Sequence, residues 1–530
     1  MPGFEVMQEA GPPGTSAKAQ IARAAGLVMA LFVVSRALGL LREVAISHQF
    51  GTGGDLDAYL AAFRLPDILF QIVAGGALAS AFIPTFAGYL ANDDEQGAWR
   101  LASATINLVF TLTAALSLLA ALSAPWLVEA IIVPGFAPDR QALTVRLMRL
   151  MLVTPAVFGV SGVVMGILNA RQHFLLPALA PILYNLGIIG GALILAPRLG
   201  VGGLALGVVA GSVAHLLVQI PGLLRHGLRY RPTLGLGDPG VREVGRLMLP
   251  RVAGLAAVQI NFLVNTILAS GLAAGSLAAL NYAWLLMLLP QGIFAQSVAT
   301  AAFPTFSTQA ARNQQAEMRS TLVATLRAVL YLTIPAAVGL FVLREPLVEI
   351  IFQRGAFGEG STQMVAWALA FYVLGLPAHA LVEIVVRAFY AMHDTKTPVI
   401  VGVAAMGLNV ILSLALIAVF QAAGWMPHGG LAVSNSTATT IEMAVLLILI
   451  RRRLQGLEGR EMGRSLLRIL LAAAAMAAVA AGVAWSLSSH SAWLAGGLAI
   501  ASGALVYVGS SLLVGSPEPR AVWNMVRSRR

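Results

Sequence analysis

The sequence predicts an all-α polytopic membrane protein of about fourteen transmembrane helices, with two pseudo-symmetric six-helix lobes and two further C-terminal helices. Three observations carry that prediction. Of 530 residues, 58% are hydrophobic and only 11% charged, and mean hydropathy is +0.82; a soluble domain needs about a quarter of its residues charged to cover its surface. Apolar runs of about 20 residues, the length that crosses a hydrocarbon core, follow one another along the chain. The chain also resembles itself at a separation of roughly 220 residues.

Residues 1–24 are polar, with Pro12, Pro13 and Lys18. The apolar stretch behind them exceeds the about 7–15 residues of a signal core, so it reads as a first membrane helix and not as a cleaved leader. Between polar breaks the candidate spans are 24–47, 58–91, 102–124, 142–169, 176–197, 201–224, 246–271, 276–308, 321–343, 361–391, 398–420, 429–451, 465–488 and 493–515. The organisation that follows is a tail over 1–23, an N-lobe over 24–227, a basic linker over 228–245 and a C-lobe over 246–451. A second basic linker covers 452–464, the last two helices 465–515 and a tail 516–530. The chain has no cysteine, which excludes disulfides, thiolate metal sites and cysteine nucleophiles.

Net charge is +11, and its distribution reflects topology. Lys18, Arg23, Arg100, Arg171, Arg225–Arg242, Arg312, Arg319, Lys396, Arg451–Arg464 and the arginines from 520 onward fall at one set of helix ends. The opposite ends hold Arg140, Arg198, Arg344 and Arg354. The richer set is expected in the cytoplasm, with both termini inside. Nucleic acid is not an expected partner, and the short loops leave no room for a soluble catalytic domain.

Ser80-Ala-Phe-Ile-Pro84-Thr-Phe86 returns as Thr300-Ala-Ala-Phe-Pro304-Thr-Phe306. Pro125-Trp-Leu-Val-Glu129 returns as Pro346-Leu-Val-Glu349, and Ala170 with Pro177 as Ala391 with Pro398. Six helices separate the copies, so both halves keep one orientation, as in two-lobed transporters with a central site.

Ionisable residues at membrane depth are costly, about 2.5–3.5 kcal/mol each, and point to function. The first helix carries Arg36 near its middle and Arg42 six residues on, about 240° around the helix and ~9 Å along it. They would make successive contacts along a path. Asp57 follows the loop Gly51-Thr-Gly-Gly-Asp55-Leu, where a carboxylate suits a helix N-terminus. Arg64 lies seven residues further, on the same face. For Asp57 the competing role is capping, and for Arg64 snorkelling to the interface. Arg146, Arg149 and Arg251 are further candidates, whereas Glu383 and Arg387, four apart, can pair within one helix. The deep charges are mainly arginine, whose planar fork grips phosphate. A phosphate or pyrophosphate head is therefore the simplest cargo group. Neither a metal nor another cofactor is expected.

Ser35-Arg36-Ala-Leu-Gly39-Leu-Leu-Arg42-Glu43, Asp57-Ala-Tyr-Leu-Ala-Ala-Phe-Arg64-Leu-Pro66, Gly76-Ala-Leu-Ala-Ser-Ala-Phe-Ile-Pro84, Arg354-Gly-Ala-Phe357 and Asp394-Thr-Lys-Thr-Pro398 occur in order. This series resembles the signature of the MurJ (MviN) family in the MOP exporter superfamily. The resemblance implies two six-helix lobes around a cavity and two extra helices that form a lipid-facing groove. It also implies flipping of lipid II, an undecaprenyl-pyrophosphate-linked disaccharide-peptide, from the inner to the outer leaflet of the bacterial inner membrane. The family's cavity arginines match Arg36 and Arg42, its loop aspartate matches Asp57, and Arg64 occupies a position that is often basic. Expected partners are the lipid-linked anionic substrate, membrane lipids and other cell-wall synthesis proteins. Two further family arginines are absent, at Phe70 and Leu285. Competing readings are a flippase for another polyprenyl-linked glycan, an exporter of the same superfamily, a non-transporting scaffold, and a membrane enzyme acting on prenyl phosphates through Asn92-Asp93-Asp94-Glu95.

Overall fold

The computed structural model describes residues 17–73 and 76–519, with the backbone alone at 17–25, 27, 73, 76–80 and 249–258. Among them the secondary structure is helical, without a strand. The principal helices are α1 Ala17–Phe50, α2 Gly54–Val73, α3 Gly76–Ala91, α4 Glu95–Leu122 and α5 Pro138–Ala170. Then come α6 Leu175–Leu199, α7 Val201–Arg225, α8 Pro239–Ser270, α9 Ser276–Ala311 and α10 Gln315–Val342. The last are α11 Glu359–Ala391, α12 Lys396–Ala422, α13 His428–Arg453, α14 Gly459–Ser486 and α15 Ala492–Leu513. Among the described residues 11 helices are long and apolar enough to cross a membrane. The other three expected spans fall on α1, on α8 and on α2 with α3. This is the polytopic helical membrane fold that the apolar runs predict.

The internal repeat reaches down to single turns. After Ala91 the chain reverses through Asp93 at φ 56°, and after Ala311 through Asn313 at φ 55°. After Ala170 it turns at Gln172 with φ 58°, and after Ala391 at His393 with φ 60°. Asp, Asn and His tolerate this left-handed conformation better than most side chains, because a short polar group can bond locally. The repeat partners Phe86 and Phe306 are both fully buried. Pro290 interrupts its helix: α9 passes there into a wide turn over Gln291–Gln296, since proline lacks the N–H that would bond back one turn.

The described chain divides into two compact units. One comprises the chain up to Ala45, Leu65–Ala124 and Arg146–Leu255. Its core includes Phe82, Phe86, Trp99, Val163 and Ile167, with Phe82 and Phe86 rings 5.3 Å apart and Trp99 edge-on to Phe86. The other comprises Ile46–Arg64, Pro125–Val145 and the chain from Ala256. Phe306, Leu326, Ile384, Phe389, Leu446 and Ile469 lie at its centre.

Within this second unit the C-terminal helices α14 and α15 dock on α10 through apolar and polar contacts. Tyr507 donates to the Tyr331 carbonyl at 2.7 Å. Beyond α15, Glu518 is buried and accepts hydrogen bonds from Ser465 at 2.6 Å, Ser516 at 2.5 Å and Arg327 at 2.9 and 2.8 Å. Burial alone would raise its pKa, but the bonds from Ser465, Ser516 and Arg327 together hold it below the ordinary glutamate value of 4.5. A lowered folded-state pKa contributes stability above pH 4.5 that is lost as pH falls through and below that value. Thermal unfolding of the detergent-purified protein is therefore expected at lower temperature on acidification below pH 4.5. In Glu518→Gln that acid dependence is expected to flatten, on a midpoint already lowered at pH 7.

Candidate functional site

The first helix α1 places Arg36 and Arg42 as its sequence spacing requires, in the first unit. Arg36 is exposed, with its guanidinium carbon 5.3 Å from the centre of the Phe32 ring. Arg42 is held more tightly. Its Nε and Nη2 donate to Glu43 Oε1 at 3.0 and 2.5 Å, and its Nη1 donates to Asn185 Oδ1 at 3.2 Å. Asn185 in turn donates to the Ser35 carbonyl of α1 at 3.4 Å. Glu43 is buried, and the pair lets both charges sit at membrane depth. Two guanidiniums against one carboxylate leave this stretch of α1 with surplus positive charge.

Asp57 and Arg64 share a face of α2 but reach different targets within the second unit. Asp57 is 2% exposed. Its Oδ2 accepts the Gly275 N–H at 2.6 Å and its Oδ1 the Ala278 N–H at 2.8 Å. The carboxylate thus sits at the N-terminus of α9, where unpaired N–H groups and the helix dipole favour negative charge. Sequence reasoning anticipated a carboxylate at a helix start; the helix it serves lies over 200 residues away, which no local pattern signals. Gly275 is at φ 89°, and a Cβ there would lie 2.1 Å from the Thr52 carbonyl oxygen. The same loop is held by Thr52, whose hydroxyl donates to Ser361 Oγ at 2.8 Å.

Arg64 donates through Nε to Thr266 Oγ1 at 2.9 Å and lies 5.6 Å from the Phe262 ring centre. Phe262 begins an aromatic series: Trp284 lies edge-on to Phe262, Tyr372 and His379 at 6.4, 5.3 and 5.6 Å. His379 is bonded to Asn435 at 3.1 Å. At the expected arginine position the chain has the partly buried Leu285, beside the packed indole of Trp284. At the other departure, Phe70 packs 5.1 Å from Phe158, which lies edge-on to Tyr184 and His215. Aromatic packing therefore surrounds Phe70 at one of these positions and Trp284 next to the other.

Arg146 and Arg149 are exposed in α5. Arg149 Nε donates to the Ala121 carbonyl at 2.9 Å, capping the end of α4. The side chain of Arg251 lies outside the described residues. Glu383 and Arg387 form the expected pair one turn apart, lining a cavity of about 300 Å³ with Phe303 and Tyr390. The acidic run at 92–95 is a turn and a cap: Asp94 accepts the Gly97 N–H at 2.7 Å and Glu95 pairs with Arg171 at 3.0 Å. An apolar groove of about 590 Å³ runs between α10, α11, α13 and α14, lined by Ile334, Phe341, Pro377, Met443, Leu447 and Leu466. Sequence reasoning missed Glu43 and Asn185 as partners of Arg42, and also Glu442 within α13. Counting charges at membrane depth would have found Glu43 and Glu442; Asn185 carries no such signal.

The family profile described as "Lipid II flippase MurJ" matches residues 46–502. A "Probable lipid II flippase MurJ" of Vibrio cholerae is 30% identical over 89% of this chain and 90% of its own length. A "Lipid II flippase MurJ" of Burkholderia cenocepacia is 32% identical over 81% of this chain and 84% of its own. Among solved structures, "Lipid II flippase MurJ, inward closed conformation" superposes with a TM-score of 0.76 at 26% identity, covering 92% of this chain and 98% of that one. An inward-facing MATE multidrug transporter of the MOP superfamily shares the fold at a TM-score of 0.66 and 16% identity, over 80% of this chain and 96% of its own. With its family profile matched over residues 46–502 and relatives 30% or more identical over most of its length, the chain belongs to the lipid II flippase MurJ family.

Proposed function

We propose that the protein moves lipid II from the inner to the outer leaflet of the bacterial inner membrane by alternating access of its lobes, 24–227 and 246–451, with both termini cytoplasmic. The observation that supports this best is the net positive charge of α1 between residues 36 and 43, where Arg42 pairs with Glu43 and Arg36 stands exposed over Phe32. A pyrophosphate can bond the exposed Arg36 guanidinium of such a stretch through charge-assisted contacts. Arg64 is assigned a further contact with the cargo, with Arg146, Arg149 and Arg251 as supplementary cations. Asp57 acts as a latch, holding the outward loop on α9 until the outward-open state forms. The groove between α10 and α14 receives the polyprenyl tail, whose hydrocarbon suits its apolar lining. An inside-negative potential favours outward movement of an anion by about 2.3 kcal/mol per charge per 100 mV, a source of direction that needs no nucleotide. Contact with other cell-wall synthesis proteins belongs to the same proposal.

Complementation of a strain depleted of its lipid II flippase tests this. The wild-type chain is expected to restore growth. Arg36→Ala is expected to fail at normal membrane abundance, and Ala337→Trp, which fills the groove, to lower transport several-fold. A second reading, a flippase for another polyprenyl-linked glycan, is favoured by the aromatic packing around Phe70 and Trp284. Native mass spectrometry with lipid II and with other undecaprenyl-pyrophosphate lipids separates the two by which lipid stays bound.

A further inference from the structure

Glu442 lies within α13, about 21 Å along the helix from His428 and about 16 Å from Arg453, hence at membrane depth. It is partly buried, and its Oε1 rests on α12, 3.4 Å from where a Cβ on Gly402 would stand. Glu43 and Glu383 each have an arginine partner. For Glu442, neither a cation nor a hydrogen-bond donor reaches the carboxyl among the described residues. The titratable groups on the helices packed against α13 are engaged elsewhere or remote. On α11, His379 bonds Asn435, and Glu383 bonds Arg387. On α12, Lys396 is at the helix end; α9 carries no charged residue; on α13 itself, His428 and Arg451–Arg453 stand at the two ends.

A carboxylate left ionised and unpaired in hydrocarbon is far costlier than the neutral acid. A single carboxyl is also too small a ligand set for a metal ion, and no cluster of three or more acids and histidines exists among the described residues. We propose that Glu442 is a reversible proton-binding site, neutral while packed against Gly402 and ionised when α12 and α13 part enough to admit water. The proton is taken from and returned to water, so each opening and closing of that helix pair carries one proton. This assignment is independent of which lipid is moved.

Infrared spectroscopy of the full chain in nanodiscs, titrated from pH 6 to pH 10, tests it without any cargo. The wild type is expected to show the carbonyl stretch of a protonated carboxyl at neutral pH, lost on alkalinisation. Glu442→Gln is expected to lack that band, and Glu442→Asp, the variant to use if the glutamine form does not fold, to shift it. Glu383→Gln is expected to leave it unchanged. An identical band in wild type and Glu442→Gln would overturn the proposal, as would a Glu442 band that persists undiminished at pH 10.

Discussion

Arg42→Ala is expected to abolish transport and to lower stability by about 3 kcal/mol, the low end of the cost of stranding one partner of a buried ion pair. The low end applies because Arg42 keeps 27% of its side-chain surface open, whereas Glu43 keeps 10%. Removing the guanidinium leaves Glu43 with its desolvation uncompensated and takes three hydrogen bonds from Glu43 and Asn185. The double variant Arg42→Ala/Glu43→Ala separates the two consequences: thermal stability returns toward wild type, because no buried charge is left alone, while complementation stays lost. Arg42→Lys retains charge but not the planar fork, and is expected to restore stability more than transport. Recovery of growth by the double variant would remove Arg42 from the cargo path.

The second large effect concerns the loop between α1 and α2. Asp57→Ala leaves the N–H groups of Gly275 and Ala278 buried without acceptors, at about 1–3 kcal/mol each, and removes a negative charge from a helix N-terminus. A loss of about 2–6 kcal/mol is expected in thermal unfolding, enough to lower membrane abundance. Asp57→Asn keeps one acceptor oxygen and is expected to lose about half as much. Gly275→Ala strikes the same contact from the other side, through its left-handed backbone and the 2.1 Å approach to the Thr52 carbonyl. If Asp57→Ala unfolded at the wild-type temperature, the latch would have no energetic basis.

Particular residues show how far the sequence could be read. Helix positions were legible because a bilayer demands about 20 apolar residues per span and backbone groups satisfied within the segment. The repeat was legible because Pro84 and Pro304 recur inside matching helices and Phe86 and Phe306 are both fully buried, where packing tolerates few alternatives. The pairing of Glu383 with Arg387 was legible from four-residue spacing. Asp57 was half legible: its type and place signal capping, while the identity of the capped helix depends on a contact between residues 57 and 275. Glu43 was overshadowed by the arginine beside it, although the pair decides how much positive charge α1 retains.

By itself, then, the sequence determined that this chain spans the membrane many times, that its halves carry matching motifs about 220 residues apart, and that arginines stand within its first helix. Hydrophobicity, periodicity and charge are properties of single segments and are written there in full. Only the tertiary structure decided which charges are neutralised and which keep their field. It clasped Arg42 between Glu43 and Asn185, turned Asp57 onto α9, packed Trp284 among aromatic rings and left Glu442 against a glycine. The reason is physical: the energy of a charge at membrane depth depends on its nearest polar neighbours, and those come from helices far apart in the chain.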